Sequence, residues 1–587
     1  MPASRVRRSV AGVVTFASRT RISRTQPSFP SQWRYYSSRN RDNALRQHRA
    51  SASSHFPSQS RWLGRSLGLL GTAAATFVVY TLVAGYVCEE RPAAPKLQST
   101  AKIIEDLGSQ YVRAKRDLSS PDLYVWGTNI YRVADPDSTD SVVRKPRKLR
   151  YFRGQALRDL TLGETSAAAI TDNGDLVQWG KGFSESDSKV TKTLTGKGLV
   201  SLCMSQDRII ALASDGKVYS LPIPKGEQES GRKPSETSWL PFWSRSARVS
   251  YRLLTPSLKL GEKVTSLSGG LEHVLLLTSS GRVFAAASST DSFPSSGQLG
   301  IPGLSWKNRP KGPVDTCHEI TTFGKTTISQ VAAGDYHSVA LSRDGRIFSF
   351  GDNSFGQLGM AFNAEAKYID TPTELPLKRF YRSKAWQGRA TGIAAGGATS
   401  FFTVDIKPPV EAAESKQGQR HTVADTWACG KGITGILGNG RWTHLQDEPT
   451  KVKALSGLFE FDERTQKQTP IHLHEISVGA THASAVMDNM SDLEAPSSRS
   501  SDNTNTRGLD VVYWGGNEYF QLGTGKRSNL CKPTYISAPP VLDEQGNKQE
   551  ARLQIMPRYK GKVNGRKVSV EQRVECGKYT SAIYSAV

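Results

Sequence analysis

From about residue 120 to the C-terminus, short apolar runs alternate with small and polar turn residues in one recurring order. A small-residue turn leads into an apolar strand, a Ser/Asp-Gly hairpin follows, and a second strand ends in Trp-Gly or Phe-Gly. The clearest copy is Gly334 to Gly359, GDYHSVALSRDGRIFSFGDNSFGQLG. Short β-rich runs bounded by such turns predict strands. A unit that recurs in this way buries its apolar face by stacking on a neighbour.

First strands are expected at 162–170, 202–212, 267–277, 331–341, 393–404, 478–486 and 574–584. Second strands are expected at 123–127, 176–180, 217–221, 282–286, 346–351, 426–430 and 511–515. The joining turns, such as Asp172-Asn173-Gly174 and Arg343-Asp344-Gly345, supply the residues that accept the positive φ of tight hairpins. The expected fold is all-β: a seven-bladed β-propeller of four-stranded blades, which protects sheet edges by radial repetition. Its closure is also legible. The array begins with a second strand, Tyr124-Val125-Trp126-Gly127, and ends with a first strand, Gly577 to Tyr584. These two orphans are expected to complete one blade and join the chain ends.

The units resemble the regulator-of-chromosome-condensation repeat, whose pattern runs G-x-x-H-S/T, D/N-G, W/F-G-x-N and G-Q-L-G. The residues that carry the resemblance are Gly334, His337, Gly345, Gly351, Gly356, Gln357, Leu358 and Gly359. Trp514, Gly515, Gln521, Leu522 and Gly523 repeat it, with Trp126-Gly127 and Trp179-Gly180 as further second-strand ends. Gly297-Gln298-Leu299-Gly300 and Ile436-Leu437-Gly438 are partial echoes. The third unit departs: Tyr219-Ser220-Leu221-Pro222 lacks Trp-Gly, and no Gly-Gln-Leu-Gly follows it. The resemblance implies the propeller over 121–587. Polar insertions at 224–249, 406–420 and 488–508 are expected to be face loops.

Charge separates the ends of the chain. The net charge is +24, but residues 1–65 contain 13 Arg, no Lys and one acid, Asp42, giving 13 − 1 = +12. Residues 1–36 have the Arg/Ser-rich, acid-free composition of a mitochondrial presequence, with cleavage expected between Tyr36 and Ser37, after Arg34. A basic segment follows at 37–65. Residues 66–88 carry no charge and are long enough for one transmembrane helix, with a linker at 89–120. The arginines before this run and Glu89-Glu90 after it favour a single-pass inner-membrane protein whose propeller faces the intermembrane space. The remaining +12 is interspersed with acids, which argues against a nucleic-acid partner.

Candidate chemistry is sparse. Gly430-Lys-Gly-Ile-Thr-Gly435 fits G-x-G-x-x-G, but it aligns with the repeat turn Gly351–Gly356 and no helix pattern follows, so no nucleotide cofactor is expected. His273, His337 and His482 share one repeat position with Ser166, Arg208, Thr399 and Thr580, which suits a packing or hydrogen-bonding slot rather than a ligand set. His472 and His474 share a strand face without an identifiable third ligand, so no metal is expected. The six cysteines show no paired spacing. No catalytic constellation stands out, and a non-enzyme is expected. Trp239, Phe242 and Trp243, beside Arg245 and Arg248, are the candidate partner contact.

Mitochondrial inner-membrane members of the resembled family in fungi imply a scaffold for assembly of respiratory complex III, with its subunits or assembly intermediates as partners. The family also implies two alternatives: nucleotide exchange or regulation on a mitochondrial GTPase, and a module associated with mitochondrial ribosomes or RNA.

Overall fold

Arg343-Asp344-Gly345 shows how one repeat folds. Gly345 has φ +87°, and the turn pairs Leu341 with Ile347 so that His337–Ser342 and Ile347–Asp352 run antiparallel. Nearly every residue of both strands is buried. A strand covered on both faces needs neighbours on both sides, which is why these segments read as continuous apolar runs.

The computed structural model describes residues 121–237, 244–289, 292–381, 387–407, 422–462, 466–489, 491–492, 507–537, 541–542, 548–549, 553–563 and 565–587. They fall within one compact unit, Leu97–Val587. Each expected first strand is in fact two. In the clearest copy, Ile328–Ala333 and His337–Ser342 reverse direction at the glycine turn that begins at Gly334. The unit is thus an innermost strand, two middle strands and an outer strand, here Tyr368–Leu375.

Four sheets have this four-stranded form, with innermost strands Leu199–Met204, Val264–Gly269, Ile328–Ala333 and Gln387–Gly396. A fifth, six-stranded sheet is built on Leu473–Val478, His482–Met487 and Arg507–Gly515. The other large sheet has nine strands and holds both the N-terminal and the C-terminal strands of the propeller. The expectation of seven separate four-stranded blades is therefore corrected: five discrete blades stand beside one continuous sheet. The physical cause is one junction. Leu157 pairs in parallel with Ala586, and the Val587 amide donates to the Leu157 carbonyl at 2.9 Å, fusing two hairpin systems. The transmembrane helix expected at 66–88 is not supported either. No helix among the described residues is long and apolar enough to cross a membrane, and 66–88 lies outside those residues.

The chain ends meet within the nine-stranded sheet. Leu123–Thr128 pairs antiparallel with Thr580–Ala586, setting Trp126 opposite Ser581 and Gly127 opposite Thr580. Around the axis the innermost strands touch in cyclic order, from Leu157–Leu162 through Leu199–Met204 and onward to Leu473–Val478, Arg566–Cys576 and back. Glycines permit this approach at the axial ends. A Cβ on Gly396 or Gly577 would strike a carbonyl of the next inner strand, and one on Gly334 would meet the His337 ring and the Gly397 carbonyl. Apolar clusters fill the wedges between sheets, with Trp126, Trp179 and Trp514 fully buried.

Candidate functional site: inter-sheet relays and the axial cavity

The histidines of the repeat are wired into neighbouring sheets. His273, His337 and His482 each begin a middle strand and have no solvent exposure. Their Nε2 atoms lie 2.8, 2.8 and 2.7 Å from the hydroxyls of Ser338, Ser400 and Ser581, each on the next sheet. Those hydroxyls donate to the carbonyls of Gln298, Gln357 and Gln521 at 2.9, 2.8 and 2.7 Å. A serine has one hydroxyl proton, so a serine that donates to a carbonyl accepts from the imidazole; each ring is therefore the Nε2–H tautomer. The Nδ1 atoms have no partner. Burial lowers the pKa of His273 to about 3, of His337 to about 4 and of His482 to about 3, which keeps them neutral.

Gly-Gln-Leu-Gly is the other half of this joint. Gly356 and Gly359 adopt φ +80° and +69°, and Leu358 is buried. The Gln357 side chain holds the turn, accepting from the Phe355 amide at 2.9 Å and donating to Asp352 at 2.7 Å. Its carbonyl is thereby aimed at Ser400. Gln521 repeats the arrangement and also accepts from Trp126 Nε1 at 2.8 Å, which adds a donor from the N-terminal strand to the joint. Where Ile436 replaces the glutamine, the carbonyl still accepts from Trp514, but Thr399 and Ala483 stand in the relay positions. The departing unit differs again: Arg208 occupies the histidine slot and donates to the Ser220 hydroxyl at 2.7 Å and to its carbonyl at 3.0 Å.

The remaining candidates are not brought together. His472 pairs with Asp405 at 3.1 Å, His474 is exposed, and no group of three His, Cys, Asp or Glu side chains suited to a metal occurs among the described residues. Gly430–Gly435 is a strand end and turn, with Gly430 at φ +115° and Gly435 at +85°, not the opening of a helix. Gly127, Gly180, Gly351 and Gly515 all have positive φ after their aromatic residue, and each abuts the start of the adjoining middle strand. Tyr36, Ser37, Trp239, Phe242 and Trp243 lie outside the described residues.

Serines 338, 400 and 581 were legible only as neighbours of the histidine slot. Sequence reasoning missed a further set, the axial carboxyls. A cavity of about 550 Å³ opens on the axis, bordered by Asp159, Glu575, Cys203, Cys576 and Lys578. Asp159 accepts from the Ser201 hydroxyl and the Leu202 amide, both at 2.8 Å, across the inter-strand gap. Burial raises its carboxyl and that of Glu575 above the usual range, and raises Glu475 to about 7. At the mouth, Lys578 pairs with Glu164. The signal was acids set into three inner strands, Asp159, Glu475 and the pair Glu571 and Glu575, that otherwise read as ordinary polar-apolar alternation.

This architecture defines an all-β propeller carrying chromosome-condensation repeats. Residues 328–357 and 344–403 match the Regulator of chromosome condensation (RCC1) repeat. The chain is similar to Protein FMP25, mitochondrial, of Saccharomyces cerevisiae, at 26% identity across 72% of this chain and 67% of that protein. It is 24% identical to the mouse Secretion-regulating guanine nucleotide exchange factor across 71% of this chain and 79% of that protein. It is 25% identical to the RCC1 domain-containing protein RUG3, mitochondrial, of Arabidopsis thaliana, across 62% and 72%. Human WBSCR16 shares the fold, with a TM-score of 0.51 at 17% identity, covering 79% of this chain and 99% of that structure.

Proposed function

We propose that this chain is a mitochondrial, non-catalytic scaffold that serves the assembly of respiratory complex III, with complex III subunits or assembly intermediates as its partners. The observation that carries this reading is the similarity to a mitochondrial yeast protein over 451 residues, together with the presequence-like composition of 1–36. The geometry is consistent with it. The repeat histidines and serines that could suggest chemistry are engaged in holding sheets together. Import would remove 1–36 and leave Ser37 at the new N-terminus.

A second reading is nucleotide exchange on a mitochondrial GTPase, favoured by the similarity to the mouse exchange factor. Deleting the gene distinguishes the two. Assembly predicts loss of assembled complex III on native gels and accumulation of its intermediates, restored by the wild-type chain. Normal complex III overturns the proposal, and faster GDP release from a mitochondrial GTPase on addition of the purified chain promotes the second reading.

A further inference from the structure

Three carboxyls occupy consecutive innermost strands at the place where the propeller closes. Glu575 lies on Arg566–Cys576, which touches Leu473–Val478, carrying Glu475, on one side and Leu157–Leu162, carrying Asp159, on the other. The three interact electrostatically with one another. Arg566–Cys576 is held to the Glu475-bearing strand by few direct bonds. The Cys576 amide donates to Ser477 at 2.8 Å, the Val574 amide to Glu475 at 3.5 Å, and Ser477 to Glu575 at 3.4 Å. It is also the strand that carries Thr580–Ala586 onto the N-terminal Leu123–Thr128.

We propose that this carboxyl trio makes the closing seam a proton-dependent latch: neutral and closed in mildly acidic to neutral surroundings, and loosened by mutual repulsion as pH rises. Like charges on neighbouring strands around a partly enclosed cavity repel one another. Arg573 favours ionisation of Glu475 and Asp159, but it is also paired with Glu571. Lys578, which borders the same cavity, is paired with Glu164, and the remaining neighbours supply no positive charge. The Tyr513 and Tyr584 phenols and the Cys203 and Cys576 thiols are neutral neighbours, and burial raises all four. His482, on the adjoining middle strand, is neutral. Across the other face of Leu473–Val478, His472 is engaged with Asp405, His474 is exposed, and Arg389 lies exposed on Gln387–Gly396.

The sign follows from linkage. Glu475 has a folded pKa raised to about 7, above its ordinary 4.5, so the folded seam binds the extra proton between those values. Its contribution is complete below the unfolded pKa and is lost as pH rises through 7; the raised Asp159 and Glu575 act in the same direction.

Hydrogen exchange of the full chain, corrected for intrinsic rate, tests the latch. Between pH 6 and pH 8.5 the protection of peptides within 566–586 should fall about tenfold or more, while 337–342 keeps its protection. Glu475→Gln with Glu575→Gln mimics two neutral acids and should remove most of the seam's pH dependence, leaving only the part due to Asp159; Glu475→Gln alone should reduce it less. A seam insensitive to pH in the wild-type chain, an equal loss in all strands, or an unchanged slope in the single Gln variant would overturn the proposal.

Discussion

The imidazole of His337 donates to the hydroxyl of Ser400 across 2.8 Å, and Ser400 passes the bond on to the carbonyl of Gln357. Two adjacent sheets and the turn between them are thereby joined by two buried bonds. Replacing Ser400 with Ala leaves a buried N–H and a weakened carbonyl, an arrangement that typically costs about 1–3 kcal/mol. Chemical denaturation should show that loss. A cost below about 0.5 kcal/mol would mean that the relay contributes shape only.

The same histidines set an acid limit. Their folded pKa values, about 3 to 4, lie below the ordinary 6.5, so their contribution is present above 6.5 and is lost as pH falls. The axial carboxyls act in the opposite direction over part of that window, so the comparison must be made against a variant. The penalty of His337→Asn, measured at pH 7.5, should shrink on acidification by up to about 1.4 kcal/mol per pH unit below 6.5. A penalty constant from pH 7.5 to pH 5 would contradict the buried neutral tautomer.

Closure makes the last residues indispensable. Truncation after residue 573 removes Thr580–Ala586, strips Leu123–Thr128 of one of its two partner strands and exposes a hydrophobic sheet edge. The truncated chain should aggregate or become protease-sensitive. Trp126→Ala, at a fully buried side chain that also bonds the Gln521 carbonyl, should cost about 3–5 kcal/mol by the same denaturation measurement. A soluble, equally resistant truncation would show that the ends are not needed to close the ring.

How much of this was legible follows from what each residue can report locally. Turn glycines and Trp-Gly strand ends have sharp backbone demands, so they marked the hairpins and the meeting of Trp126 with the C-terminal strand. The reversal at Gly334 was hidden because innermost and middle strands are both apolar and only a short glycine turn separates them. The fused sheet was hidden because the pairing of Leu157 with Ala586 joins residues 429 apart, the difference of their numbers, and no local pattern encodes it. The histidine slot was visible as a repeat position, whereas the serine that links it to the Gln carbonyl of its own unit belongs to the next repeat. The axial acids were missed because one or two acids in a strand carry no periodic signal until the inner strands are brought together.

If the relay is a portable joint, it can be built where the chain lacks it. At the Ile436 carbonyl, Trp514 already donates as Trp126 does at Gln521, while Thr399 and Ala483 stand where His482 and Ser581 stand. The glycine three residues before the slot is present, Gly396 for Thr399 as Gly334 for His337. Gly334 lies directly under the His337 ring, where a Cβ would collide with it, so the matching glycine leaves room for an imidazole. Thr399→His alone places an unpartnered ring donor in the core, and Ala483→Ser alone adds a hydroxyl with only the carbonyl to meet. Together they should complete the chain of donors, and the double variant should exceed the sum of the singles by about 1 kcal/mol in a double-mutant cycle. Strict additivity of the two substitutions would show that the His–Ser–carbonyl geometry depends on the glutamine turn itself and cannot be transplanted.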